Sequence, residues 1–267
     1  MSASRSMFVS LILLLSLTTS ACTTLGSGPG SAASLEDEET WDPLEPFNRA
    51  MFTFNEKFDG WLLKPTAKGY DFIFPSPVKR SVHNFFSNLI QPRVAVNDLL
   101  QGKGKQSARD LGRFVVNSTA GVLGLFDVAR HVGLEASEEE DWGQTFAVWG
   151  VRGGPYFVWP IIGPRYLRDT VGFGFDWLSN PVTYVQDPYT SWGLWGLDIV
   201  DMRARFLPAD KVLKQAAGDD KYVFIREAYR QRRRNLIYDG NPPKPVFIDD
   251  EVETPAAKPA GTPTTAP

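Results

Sequence analysis

Between Trp142 and Gly196 the chain concentrates six of its eight tryptophans and nine of its 23 glycines. At the centre of this stretch, the run Gly153-Gly154-Pro155-Tyr156-Phe157-Val158-Trp159-Pro160-Ile161-Ile162-Gly163-Pro164 is apolar and aromatic but repeatedly broken by Pro and Gly. It is too short to cross a bilayer as a helix, which takes about 20 apolar residues. Irregular backbone facing lipid would leave N–H and C=O groups unpaired, so the run belongs against other protein, beside a cavity or at an interface. Two placements suit the rings. They fill a large soluble core, as most aromatic stripes do, or they sit at headgroup level, where Trp and Tyr meet apolar and wet surroundings at once.

The N-terminus bears on that choice. Arg5 precedes the apolar run Met7 to Leu17, the length of an export-signal core, and small residues follow as Thr19-Ser20-Ala21-Cys22. The pattern resembles a bacterial lipobox, although Thr19 stands where Leu is usual. Cleavage before Cys22, the chain's one cysteine, would free its thiol for acylation. The alternative is a plain secreted protein with a stray thiol. Several acyl chains on Cys22 would make a stable anchor, at about 0.8 kcal/mol per buried methylene. Thr23 is not the Asp associated with inner-membrane retention, which favours the outer membrane. We therefore expect a signal peptide over 1–21, a lipidated flexible tether over 22–40 and a folded body over 41–240. The Pro-rich segment 241–267 reads as an extended, disordered tail.

Within the body, helical spacing dominates. Phe47, Met51, Phe54, Phe58 and Trp61 share one helix face behind an N-cap signal at Asp42-Pro43-Leu44-Glu45. Ser76-Pro77 opens a second helix carrying Val78, Val82, Phe85 and Leu89, which Pro92 should bound. Lys105 to Ser118 (Ala108, Leu111, Val115), Arg165 to Asn180 (Leu167, Val171, Phe175, Leu178) and Tyr189 to Phe206 continue the rhythm. A last helix starts at Asp219 with Tyr222, Ile225, Tyr229 and Leu236 facing one way and stops at Gly240. Alternating strand patterns are scarce, so the expected fold is all-α.

The residues that carry chemistry are few. A net charge of −3 supplies no positive field for a nucleic-acid backbone. Neither His83 nor His131 stands at metal-ligand spacing, so no metal or cofactor is expected. The acidic run Glu138 to Asp141 reads as a solvated loop entering a helix, and Arg230 with Arg232 to Arg234 as a solvated last turn.

Many short motifs taken in order resemble one family. Asp42-Pro43-Leu44-Glu45-Pro46-Phe47-Asn48-Arg49, Asn55, Asn97-Asp98-Leu99-Leu100-Gln101-Gly102, Arg113-Phe114, Asn117-Ser118 and Gly121 are followed by Gly124-Leu125-Phe126-Asp127-Val128-Ala129. Gly153-Gly154-Pro155-Tyr156, Leu167-Arg168-Asp169 and Arg226-Glu227-Ala228-Tyr229 complete the set. They resemble the MlaA (VacJ) family of outer-membrane lipoproteins over nearly the whole body. The resemblance implies an all-α ring of amphipathic helices embedded in the outer membrane around an amphipathic channel, lipid-anchored and facing the periplasm. It implies removal of mislocalised phospholipids from the outer leaflet to an MlaC-like periplasmic lipid carrier, association with trimeric porins, and no catalysis. On that reading Trp149, Tyr156, Trp159, Phe173 and Trp177 are candidates for the membrane-facing wall or channel mouth. Two alternatives stay open: a lipid-anchored envelope hydrolase using Asp98, Asp127 or Asp169, and a structural tether for porins.

Overall fold

The computed structural model describes residues 42–243. The expected signal peptide, the lipidated Cys22, the tether and nearly all of the tail lie outside the described residues.

Helix α1 (Glu45–Phe58) passes through a π-helical turn (Asp59–Leu63) into α2 (Lys64–Ile73). Pro65 has no N–H for the carbonyl of Trp61, and the chain absorbs that missing bond as the wider turn. Helix α3 (Ser76–Leu100) runs straight through Pro92, where the sequence suggested a stop, because α4 (Gly104–Thr119) packs along much of its length. A 3-10 turn (Ala129–Val132) precedes α5 (Trp142–Val148), and α6 (Leu167–Leu178) crosses it closely. There a Cβ on Gly172 would lie 2.3 Å from the Gly143 nitrogen. After a second 3-10 turn (Pro181–Tyr184) come α7 (Pro188–Arg205), α8 (Ala209–Ala216) and α9 (Lys221–Ile237).

The fold is mostly helical rather than wholly so. Residues Tyr156–Trp159 (β1) and Gly163–Tyr166 (β2) pair as an antiparallel hairpin inside the aromatic run. Four-residue strands are too short to announce themselves by alternation. Two asparagines of α1, two turns apart, hold the hairpin. Asn48 accepts from the Val158 N–H at 2.9 Å and donates to the Tyr156 carbonyl at 3.0 Å; Asn55 does the same for Ile161 and Trp159, at 2.7 and 2.9 Å. Their clamp keeps Ile161 at φ +67°, a conformation that costs a β-branched residue roughly 1–3 kcal/mol.

Two caps differ from expectation. The Asp42 side chain leaves the first turn and instead accepts from Asn48, Tyr222 and Arg226, tying the start of α1 to α9. Asp220, one residue beyond the expected Asp219, caps α9 through the Val223 N–H.

The packing of several helices runs inside out. Among the described residues, sixteen buried side chains are polar or charged and thirteen are hydrophobic. On α4 the apolar stripe points outward, with Leu111 47% and Val115 57% exposed, while Asp110 and Asn117 on the opposite face are 0% and 6% exposed. Helix α6 repeats this: Leu167, Val171, Phe175 and Leu178 are exposed and Arg168, Asp169 and Asp176 buried. Conventional apolar cores are small. One joins Tyr156, Val158 and Tyr166 of the hairpin to Tyr222 of α9, and another joins Ala67 and Tyr70 of α2 to Ala204 of α7.

Candidate functional site

On α4 and α6 the inverted faces set apolar side chains outside and polar ones inside, and the candidate site is built from both. No helix among the described residues is long and apolar enough to cross a membrane. The exterior nonetheless carries Trp61, Phe72, Tyr189 and Trp192, each more than three-quarters exposed, far beyond the scattered apolar exposure of an ordinary surface.

The five aromatic candidates separate on this surface. Trp149 follows α5, exposed, with its indole N–H donated to the Leu100 carbonyl at 3.0 Å. Trp159 ends β1, exposed at its ring and bonded through its indole N–H to the Thr170 hydroxyl at 3.0 Å. Trp177 of α6 is exposed, and Phe173 is half-buried beneath the Arg165 guanidinium, 4.2 Å from its ring centre. Tyr156 is different: it sits edge-on to Tyr166 in the hairpin core with almost no accessible surface. As the first residue of β1 it shares the buried side with Val158 and turns toward Tyr229 of α9, and only the hairpin reveals that direction.

The interior is held by charge pairs. Arg233, expected in a solvated turn, is buried and forks onto Asp141 at 2.5 and 2.7 Å while reaching Asp169 at 3.0 Å. Asp169 also takes the Arg168 guanidinium and the Tyr229 hydroxyl. Burial opposes ionisation of Asp141, but Arg233 and the α5 N-terminal amide of Gln144 overcome it and hold its pKa at about 2. Glu140, expected to be solvated, is buried against Lys103 at 2.9 Å and Gln101 at 2.9 Å. Asp127 accepts from Arg113 and Asn117, at 3.0 and 3.1 Å. Asp98 faces Asp110, and burial with that neighbouring carboxyl pushes it up to about 7. Of the three carboxylates weighed for hydrolysis, Asp127 and Asp169 are thus occupied by cations, and no group of His, Cys, Asp and Glu among the described residues could hold a metal.

Polar side chains along α3 line two cavities. A 280 Å³ cavity lies between α2, α3 and α7, with Tyr70, Lys79, Arg80, Asp201 and Arg205 on its walls. A 190 Å³ cavity lies between α3, α4 and the segment after Asp127, walled by Asn84, Ser87, Asn88, Gln91, Arg113 and Glu139. His83 lines both. The recurrence of His83, Asn84, Ser87, Asn88 and Gln91 at helical spacing was visible in the sequence. Beside the apolar stripe of the same helix it carried no sign that the polar side faces inward.

A family profile of the MlaA lipoprotein matches residues 40–236. The chain belongs to the MlaA lipoprotein family. Family resemblance extends to the intermembrane phospholipid transport system lipoprotein MlaA of Escherichia coli, 36% identical over 220 residues that cover 81% of this chain and 86% of that one. The protein of the same description in Haemophilus influenzae is 32% identical over 210 residues, 74% of this chain and 80% of its own. An uncharacterised Rickettsia typhi protein is 39% identical over 206 residues, 76% and 81% of the two chains. A solved structure, from work on the structural basis for maintenance of bacterial outer membrane lipid asymmetry, matches with a TM-score of 0.66 and 34% identity. The match covers 75% of this chain and all of that one.

Proposed function

We propose that this MlaA family member embeds its apolar exterior in the outer membrane and passes phospholipids through its polar interior, from the outer leaflet toward an MlaC-like periplasmic carrier. The observation that carries this reading is the inside-out burial of α4 and α6, which is unfavourable in water and favourable when hydrocarbon replaces water outside. The names of the E. coli and H. influenzae relatives support the lipid cargo. A mobile lipid needs a polar route for its head beside apolar walls for its tails, and the α3 cavities lie next to outward apolar stripes. Acylated Cys22 would hold the protein at the periplasmic face, where trimeric porins are the expected companions. The passage performs no covalent chemistry and takes its direction from the carrier's affinity.

The test uses cells lacking the protein, complemented with wild type or with a variant carrying Ala at Trp149, Trp159, Phe173 and Trp177. The deletion should raise surface-exposed phospholipid, and the variant, at normal protein level, should fail to restore it. Full restoration would remove the aromatic wall from the reading. Unchanged surface phospholipid in the deletion would support a porin tether, and release of lysophospholipid by purified protein would support a hydrolase.

A further inference from the structure

We infer that the two cavities that share His83 as a wall form a binding station for a zwitterionic phosphoethanolamine headgroup, with its primary ammonium in the smaller cavity and its phosphodiester in the larger. This inference rests on the proposed lipid passage and adds to it a headgroup preference.

The smaller cavity holds acceptors that nothing meets. Asn88 Oδ1 and Gln91 Oε1 are buried without a hydrogen-bond partner, and Asn88 as a whole is only 5% exposed. The Asn88 amide nitrogen is committed to the Ser118 hydroxyl at 2.9 Å, which fixes its oxygen as the free end. Glu139 brings a carboxylate that no side chain among the described residues pairs, and Asp127 brings a second, against the single cation Arg113. Two unmet acceptor oxygens against one unmet donor, Arg113 Nε, together with a net negative charge suit a group with three N–H donors and one positive charge, which is a primary ammonium.

The larger cavity has the opposite balance. Lys79, Arg80 and Arg205 face it with Asp71 and Asp201. Asp71 takes Lys79, and Asp201 takes Arg205 Nε at 3.2 Å and the Tyr70 hydroxyl at 3.0 Å, while Arg80 has no ion-pair partner among the described residues. His83 adds no charge, because burial and the Arg205 guanidinium, 3.5 Å from its Nε2, hold its pKa below the usual value. Its Nδ1 faces Ser87 of the smaller cavity at 3.5 Å. The change of sign therefore occurs across the one side chain that both cavities share.

Two related headgroups meet only half of this arrangement. Phosphatidylcholine has a cation without N–H donors, and phosphatidylglycerol has no cation. Leaving the buried acceptors unmet should weaken either lipid by about tenfold.

The experiment offers full-length protein equal amounts of phosphatidylethanolamine, phosphatidylcholine and phosphatidylglycerol in mixed micelles and counts retained lipid by native mass spectrometry. About tenfold enrichment of phosphatidylethanolamine, displaced by glycerophosphoethanolamine but not by glycerophosphoglycerol, supports the inference. Glu139→Gln, on an exposed segment, should bring phosphatidylethanolamine down toward phosphatidylglycerol, while Arg205→Gln should lower retention of all three. Equal retention by wild-type protein, or no response to Glu139→Gln, overturns the headgroup station and leaves the lipid passage standing. Retention of no phospholipid overturns both.

Discussion

Replacing Arg233 by Met removes the cation at the junction of α5, α6 and α9. Arg233 is 8% exposed, and its guanidinium occupies the space that a side chain on Gly143 would fill, 2.4 Å from that missing Cβ. Met restores most of the volume but leaves Asp141 with the Gln144 amide alone, and Asp169 with Arg168 and Tyr229. The fall of the Asp141 pKa from 3.8 to about 2 corresponds to about 2 kcal/mol, at roughly 1.4 kcal/mol per tenfold change in proton affinity. With the contact to Asp169, the expected loss is about 3–5 kcal/mol, or roughly 6–20 °C in unfolding midpoint for a chain of this size. The pH dependence separates this cause from lost packing. In the wild type, the contribution of Asp141 is complete above its unfolded pKa near 4 and is lost only as pH falls through about 2. In the variant, burial without Arg233 raises the Asp141 pKa, so the variant recovers stability as pH falls from 7 toward 4 and the gap narrows. Unfolding in detergent, followed by tryptophan fluorescence, measures both. A loss under about 1 kcal/mol at pH 7, or a gap that is constant with pH, would refute the account.

Gly172→Ala should destabilise by more than about 2 kcal/mol, since its Cβ would meet the α5 backbone, whereas Gly174→Ala, with open space around it, should gain up to about 1 kcal/mol. Thermal midpoints of the two variants test the α5–α6 contact directly. Asp98 is costly to ionise where it lies, so its folded pKa near 7 makes the wild type more stable as pH falls from 8 toward 5. Asp98→Asn should raise the midpoint at pH 8 and show little gain at pH 5; a gain independent of pH would mean that the carboxyl is not the cause. Quenching of Trp fluorescence by lipids brominated on the acyl chain should be strong in the wild type and fall when Trp149, Trp159 and Trp177 are replaced by Phe. Equal quenching in that variant would place these three indoles outside the bilayer.

Helix positions were largely legible in the amino-acid sequence, because 3.6-residue spacing reports that two faces of a segment differ. Leu111 and Val115 against Asp110 and Asn117 marked α4 in this way, and the ordered motifs from Asp42 to Tyr229 pointed to the family. Spacing is silent on which face is buried, since the same stripe fits a core in water and a wall in lipid. Only packing against neighbouring elements decided that Asp110, Asp169 and Arg233 turn inward and that Leu111, Val171 and Phe175 turn outward. The hairpin, the burial of Tyr156 and the pairing of Glu140 with Lys103 were likewise tertiary outcomes. Each depends on partners far away in the chain, Asn48 for β1 and Lys103 for Glu140, that no local pattern encodes. What the sequence alone determined was thus the set of amphipathic segments and the family they compose. Which solvent each face meets was decided by tertiary contacts, because a buried charge is tolerated only where an opposite charge or a hydrogen-bond donor is brought to it.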